Sequence, residues 1–209
     1  MKTIRLFIYV LLLMVASTVS AQSLYRAKQL IEQGEYIEAA KIIRPLADGG
    51  NAEAQFLAAT LFLEGKGVNK NESQAIKYAK MSAENGYAEA QRFMGVAFLY
   101  GDHGVTKDES IGLKYLDLAI QQDYIHAYVA KFWYFHKAKN YEQAFRAAKE
   151  GAAKHPELLK GDIGYYLSQY YICGLGTTKD VRRAYEIMRN HPEWEIFKIN
   201  YKEELKPYL

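Results

Sequence analysis

The sequence predicts an all-α fold, an array of about five helical hairpins, and three observations lead to this prediction. First, AEAQFLAATLFLEGKGV at 52–68 returns 36 residues later as AEAQRFMGVAFLYGDHGV. Second, only 4 prolines occur and the glycines are clustered, which favours helices over a turn-rich β fold. Third, a small residue recurs at a similar place in successive helix-compatible phrases. Repetition of this kind indicates architecture rather than chemistry.

Residues 1–21 form the first element and predict a secretory signal peptide. A basic start precedes the apolar run LFIYVLLLMVA, and the segment ends in the small-x-small sequence VSA. The run is too short to span a bilayer, which needs roughly 20 apolar residues. We therefore expect cleavage between Ala21 and Gln22, no integral membrane segment in the mature chain, and export to the periplasm or outside a bacterial cell. An uncleaved N-terminal anchor is the alternative.

The charge balance and the cysteine content argue against several classes of protein. Without the signal segment the chain carries 25 basic and 24 acidic residues, a net charge near +1. No strong field is left to attract nucleic acid or an anionic membrane, so neither is expected as a partner. Cys173 is the only cysteine and cannot form an intramolecular disulfide, so the exported chain must depend on its apolar core.

The predicted repeat unit is a pair of helices, A and B, joined by a loop and followed by a short turn. Two helices of roughly 11–14 residues with short connections need roughly 34–38 residues. The small marker residues step by 36, 37, 32 and 40 positions. They are Ala39, Ala75, Gly112, Ala144 and Ala184. Small residues let the helices of a unit approach closely, and large residues at i+3 or i+4 fill the space beside them.

The predicted units follow one another along the chain, at about 23–50, 51–87, 88–124, 125–157 and 158–193. Glycine, asparagine or proline ends the B helices, because these residues permit a left-handed turn or block helix continuation. The A-to-B loops GKGV, GDHGV and GLGT carry paired glycines, which permit positive φ. The aromatic residues of 194–209 predict a C-terminal cap over the last open face.

These motifs resemble the Sel1-like repeat, a longer-looped relative of the tetratricopeptide repeat. AEAQ, an apolar run, GxGV, a lysine and an Ala with a Tyr three residues later follow one another at 52–87, and 88–124 matches as strongly, with GDHGV as the loop and Gly112 three residues before Tyr115. The segment 161–192 matches in part, through GLGTTKD. The segments 23–50 and 125–157 lack the GxGV loop and look more like plain tetratricopeptide units, through QGEYIEAA and KNYEQAFRAA.

The resemblance implies a right-handed α-solenoid whose concave surface is lined by the A helices, in a family of adaptors and scaffolds. Some bacterial relatives are linked to penicillin binding or β-lactamase activity, but their repeats are cysteine-rich and this chain has one cysteine. The unit at 125–157 departs from the pattern at Lys131 and Phe132, where leucine and a small residue are expected. The pattern therefore does not support close packing of its two helices, and we expect this protein's own specificity in this atypical unit.

Signals for catalysis or metal binding are weak. HExxH, CxxC, GxSxG and EF-hand loops are missing, and the glycine loops show neither GxGxxG nor GxxxxGK[ST], so no phosphate-bearing cofactor is expected. His126 and His136 stand ten residues apart on one predicted helix, about 15 Å, which is too far for one metal ion. His155 and His191 precede prolines at helix ends, and His103 lies in a loop, so no metal site is expected.

A stripe of side chains along each A helix predicts a binding groove for an extended peptide. Residues spaced by 3, 4 and 7 positions share one helix face, and rigid aromatics and arginine are common interface anchors. The candidate groove residues are Phe56, Arg92, Tyr100, His126, Trp133, His136, Lys137, Tyr165 and Gln169. A second set of aromatics is predicted to fill buried positions: Phe62, Phe98, Tyr128, Phe135 and Tyr171. The alternative is that the candidate groove residues pack against neighbouring A helices.

Together these features predict an exported, non-enzymatic scaffold, without cofactor, that binds a protein or peptide partner through a preformed surface. One alternative is an envelope-acting hydrolase, for which Cys173 or a serine such as Ser168 would supply the nucleophile. Another is an inhibitory or regulatory module for a co-exported enzyme.

Overall fold

The computed structural model describes residues 18–209, where the regular secondary structure is entirely helical. The all-α prediction is therefore confirmed for this part of the chain. Residues 1–17 of the predicted signal peptide lie outside the described residues, so the signal peptide and its cleavage at Ala21 stay predictions. Between residues 18 and 209, no helix has both the length and the apolar character needed to cross a membrane.

The chain divides into two compact units, one ending at Asp108 and the other starting at Glu109. In the first unit, α1 covers 18–32 of the described chain and is followed by α2 (Tyr36–Asp48), α3 (Ala52–Glu64), α4 (Glu72–Glu84) and α5 (Ala88–Tyr100). The second unit contains α6 (Glu109–Gln121), α7 (Ile125–Lys137), α8 (Tyr141–Lys154), α9 (Asp162–Cys173), α10 (Val181–Met188), α11 (Trp194–Asn200) and α12 (Lys202–Leu205). Short 3₁₀ helices occupy Pro156–Lys160 and Lys206–Tyr208.

Sequential packing of neighbouring helices builds the first unit, with α2 on α3, α3 on α4 and α4 on α5. The predicted small residues lie at these contacts, since Ala39 and Ala75 are fully buried. Asn51 and Asn71 cap the N-termini of α3 and α4, and each side chain accepts a hydrogen bond from the backbone N–H three residues later. Local capping and buried small residues together explain why these segments form paired helices.

The glutamine of each AEAQ phrase has a structural role that the sequence did not reveal. Gln55 Nε2 donates to the carbonyl of Ala47 at 3.1 Å, and Gln91 Nε2 donates to the carbonyl of Ala83 at 3.2 Å. Both glutamine side chains are buried, and both carbonyls belong to the last turn of the preceding B helix. The end of a helix leaves carbonyls without helical partners, so each glutamine partly caps the helix before it.

The glycines of these loops have the positive φ that the sequence predicts. At two of them, Gly67 and Gly176, there is also no room for a side chain. A Cβ on Gly67 would overlap the backbone carbonyl of Tyr36 at the start of α2. A Cβ on Gly176 would overlap the carbonyl of Tyr141 at the start of α8 in the same way. The loop after an A helix thus rests on the start of the preceding B helix. Gly104, in the loop that is one residue longer, has a φ of 73° but open space around it.

The second unit packs closely at α7 and α8, where the pattern gave no support for close packing. Phe132 is fully buried and shares a core cluster with Ala144, Ala147 and Ala148 of α8. The small side chains thus lie on the facing helix, and the large ring fills the space that they leave. Lys131 reaches the surface, where its Nζ lies 2.6 Å from Oδ1 of Asp117.

The C-terminal segment covers the last hairpin with two short helices, α11 and α12. Phe197 and Leu205 are fully buried and join Met188 of α10 in one core cluster. Tyr201, with φ −123° and ψ 33°, separates α11 from α12. Of the five aromatics predicted to fill buried positions, Tyr128 and Phe135 are buried and Phe62, Phe98 and Tyr171 are half-buried.

Substituting Gln91 with methionine should lower the free energy of unfolding by about 1 kcal/mol, because it removes the hydrogen bond to Ala83 at nearly constant volume. Urea denaturation followed by helical circular dichroism measures the change. Gln121→Met at an exposed helical position is the matched control and should change stability by less than about 0.5 kcal/mol. Equal effects of the two substitutions would contradict the capping role.

Substituting Gly67 with alanine should destabilise the protein more than Gly104→Ala does. Both residues have positive φ, which costs a non-glycine residue about 1–2 kcal/mol. Only at Gly67 does the new methyl group meet a backbone carbonyl, and overpacking adds about 1–3 kcal/mol. Urea midpoints of the two variants give the comparison, and identical midpoints would show that the loop does not rest on α2 as described.

Candidate binding surface

The aromatic side chains of α7 and α9 form the most distinctive surface of the second unit. Trp133 lies on α7, and Tyr165 and Tyr166 lie on the first turns of α9. The ring centroids of Trp133 and Tyr166 are 5.2 Å apart, nearly perpendicular at 79°. Those of Tyr165 and Tyr166 are 5.7 Å apart at 90°. Edge-to-face contacts of this kind hold the three rings in fixed orientations, so they form a rigid wall.

His136 lies behind this wall and has a structural rather than an exposed role. Its ring centroid is 4.6 Å from that of Tyr166, and its Nδ1 is 2.5 Å from the hydroxyl of Tyr170. Burial lowers the pKa of His136, and burial also raises the pKa of Tyr170. Both shifts favour the uncharged groups, so the Tyr170 hydroxyl donates to a neutral imidazole. The pair thus anchors the aromatic wall to the core.

An open cavity of about 310 Å³ lies in front of the wall. Trp133, Tyr165 and Tyr166 line one side of it. Charged residues line the rest, namely Lys160, Asp162 and Glu193, together with the turn at His191. This volume is at the lower end of the range for ligand pockets, roughly 300–1,000 Å³, and suits one or two side chains of a partner.

His191 fixes the far side of the cavity by joining two turns. Its Nε2 is 3.1 Å from the carbonyl oxygen of Gly161, and its Nδ1 is 3.1 Å from the backbone nitrogen of Glu193. The Glu193 N–H can only donate, so Nδ1 accepts, while Nε2 donates to the carbonyl; this pattern requires an uncharged ring. Sequence reasoning identified His191 only as a residue at a helix end.

The predicted groove residues divide among the apolar core, half-buried positions and the exposed surface. Phe56 is only 8% exposed and packs on Tyr87 and Phe93, so its ring belongs to the core of the first unit rather than to an open groove. In that unit Arg92 is half-buried and Tyr100 is exposed. In the second unit His126 and Lys137 are exposed, and Gln169 is half-buried. Of all nine, the cavity brings together only Trp133 and Tyr165.

Several cavity residues were missed by the sequence reasoning. Tyr166 adjoins Tyr165 but is one position outside the predicted stripe, while Lys160, Asp162 and Glu193 lie at helix termini or turns without periodicity. Two adjacent tyrosine pairs on α9, at 165–166 and 170–171, were the sequence signal for Tyr166. The first unit has a cavity of about 290 Å³ between α2 and α3, lined mainly by apolar side chains such as Ile37 and Phe62, and none of the predicted groove residues reaches it.

The side chains considered for the hydrolase alternative lack the arrangement that it needs. Ser168 is fully buried, and its hydroxyl donates to the carbonyl of Gly164 in its own helix at 2.8 Å. Cys173 is exposed, and its thiol lies 3.9 Å from the hydroxyl of Tyr201 rather than against an imidazole. Within residues 18–209, no three His, Cys, Asp or Glu side chains are grouped so that they could hold a metal ion.

Comparison with protein families finds the Sel1 repeat at residues 52–87, 88–124 and 165–189. The first two ranges coincide with the predicted strong matches, and the third lies inside the predicted partial match at 161–192. No curated protein matches the chain significantly.

Three solved structures share the fold. A Sel1 repeat protein from Oxalobacter formigenes is 23% identical, with a TM-score of 0.65 over 80% of this chain and 66% of that protein. The protective antigen c5321 of uropathogenic Escherichia coli, which displays an SLR fold, is 18% identical, with a TM-score of 0.70 over 83% of this chain and 38% of the antigen. MamA is 17% identical, with a TM-score of 0.55 over 88% of this chain and 95% of its own. At these identities the likeness concerns the fold alone.

Lowering the pH should destabilise the protein through His136. Because burial lowers the folded-state pKa of His136 below its ordinary value of 6.5, the unfolded chain binds a proton first as the pH falls. The stabilisation by the neutral ring is fully present above the unfolded-state pKa and is lost as the pH falls from that value through the lower folded-state pKa. Urea midpoints measured at about pH 7.5 and about pH 5 should therefore differ more for the natural protein than for His136→Phe.

The exposed His126 supplies the control for this comparison. His126→Gln should retain the full pH dependence of the natural protein. An unchanged pH dependence in His136→Phe would contradict the assignment of a buried neutral imidazole.

Proposed function

The chain contains three Sel1 repeats, and on this premise we propose that it is an exported scaffold that binds a protein or peptide partner without catalysis. Proteins built from such repeats generally serve as interaction scaffolds. The partner contacts a preformed surface of successive A helices, so little conformational entropy is lost on binding.

The aromatic wall of α7 and α9 is the observation that carries this proposal. Trp133, Tyr165 and Tyr166 are only half-buried, although each has a large apolar surface. Tryptophan and tyrosine are the residue types most often found at the centre of interfaces. Here they stand on two successive A helices, beside an open cavity of about 310 Å³. The rings pack against one another between the two A helices and still leave part of their surface facing the cavity, and this exposed part favours a binding surface.

The N-terminal sequence supports export. Its basic start, apolar run and small-x-small ending are the three parts of a secretory signal peptide. With cleavage after Ala21, the mature chain keeps the buried Leu24, Ala27 and Leu30 of α1, so the first helix retains its core contacts. The lone cysteine, which leaves the folded chain independent of disulfides, is compatible with either the periplasm or the exterior.

The test is affinity capture from the envelope and secreted fractions of the source cell, followed by mass spectrometry. Trp133→Ala and Tyr165→Ala should each weaken recovery of the specific partner by at least about tenfold, since truncation of an aromatic anchor costs about 2 kcal/mol or more. Helical circular dichroism checks that the variants are folded. The bait recovered from its source cell should begin at Gln22.

Tyr25→Ala on α1 is the matched control, because Tyr25 is 64% exposed and lies far along the chain from the aromatic wall. It should leave recovery unchanged. Equal recovery by all variants would remove the α7–α9 surface from the binding site, and a bait that begins at Met1 would contradict cleavage.

A further inference from the structure

The cavity in front of the aromatic wall carries a charge pattern that specifies its ligand further. Asp162 and Glu193 both line it, and within residues 18–209 neither carboxylate forms an ion pair with the protein. Lys160 contributes one positive charge to the same rim, and the hydrogen bonds of His191 require an uncharged ring. The rim therefore has a net negative charge beside the three aromatic rings.

This combination of aromatic faces and carboxylates is complementary to a cation. The face of an aromatic ring is electron-rich and attracts an ammonium or guanidinium group within about 6 Å, most strongly when the ring is tryptophan. A carboxylate nearby then accepts hydrogen bonds from the same group, as in arginine–carboxylate pairs. An anionic ligand would instead meet two unpaired carboxylates and only one lysine.

We propose that this cavity binds an arginine or lysine side chain of the partner, with the cation against Trp133, Tyr165 and Tyr166 and its charge paired with Asp162 or Glu193. This inference rests on the proposed scaffold function and adds the chemistry of the partner segment. The volume of about 310 Å³ accommodates one long basic side chain with part of its backbone. The partner is thus an extended segment with at least one basic residue. The carboxylates of the cavity rim attract the positive charge of that residue.

The experiment titrates the isotope-labelled full chain with three blocked pentapeptides and follows the two indole N–H signals. The peptides are acetyl-Gly-Ala-Arg-Ala-Gly-amide, the same peptide with citrulline, which has the shape of arginine without its charge, and the same peptide with glutamate. Trp133→Phe assigns the Trp133 indole signal by its disappearance. Trp194, which follows Glu193 and lies against Tyr185, is the internal comparison, and its signal should move less than that of Trp133.

We expect the arginine peptide to shift the Trp133 signal saturably, with an affinity about tenfold higher than that of the citrulline peptide. The glutamate peptide should not saturate. Asp162→Asn and Glu193→Gln should each weaken binding of the arginine peptide by about fivefold, and added salt should weaken it further. Glu204→Gln, an exposed carboxylate on α12, is the matched control and should leave the affinity unchanged.

Equal binding of the arginine and citrulline peptides, tighter binding of the glutamate peptide, or no shift of the Trp133 signal would each overturn the cation site. The outcome is independent of the capture experiment. If Trp133→Ala abolishes partner capture while the arginine peptide shows no preference, the scaffold function stands and the basic ligand is wrong. If the arginine peptide binds with the expected charge dependence while capture is unaffected by Trp133→Ala, the scaffold's use of this surface is wrong.

Discussion

In the first unit, the amide side chain of an A helix donates a hydrogen bond to the last turn of the B helix before it. Gln55 and Gln91 do this from equivalent places in two repeats, 36 residues apart. Each bond is buried, so a hairpin that shifted by one residue would leave an amide without its partner and lose about 1–3 kcal/mol. The bond thus fixes the register between hairpins. This register determines which side chains of an A helix face solvent.

A second constraint acts at the start of three B helices, α2, α4 and α8. The loops that contain Gly67 and Gly176 lie so close to the first carbonyls of α2 and α8 that no Cβ fits there. The longer loop at 101–105 contacts the start of the preceding B helix through a side chain instead. Its extra residue, His103, places Nδ1 2.9 Å from Oε1 of Glu72 at the start of α4. Each contact therefore joins a loop to the preceding hairpin, one by close backbone approach and the other by a side chain. Such contacts explain why the glycine pattern belongs to the architecture of the repeat.

The candidate site lies where the chain departs from the regular repeat. In the unit that contains α7 and α8, the glycine loop is missing and Phe132 replaces a small residue. Phe132 fills the interhelical space, and its ring contacts Trp133, His136 and Tyr166. These contacts and the hydrogen bond of the Tyr170 hydroxyl to His136 fix the orientation of the rings in the aromatic wall. A surface whose aromatics are already held in position loses less entropy when a partner binds, which favours recognition by a rigid scaffold.

The sequence by itself determined the all-α class, the hairpin repeat, the small residues at the helix contacts and the positive-φ loops, because each depends on local periodicity or on the backbone freedom of one residue. It also placed Trp133 and Tyr165 on A helices, since a stripe at helical spacing is readable in the sequence. Only the tertiary structure decided that Phe56 is buried, that Tyr166 completes the wall, and that Lys160, Asp162 and Glu193 share one cavity. These outcomes depend on how successive hairpins pack and on where turns more than 25 residues apart meet, as at His191 and Gly161. No spacing rule within one helix contains that information.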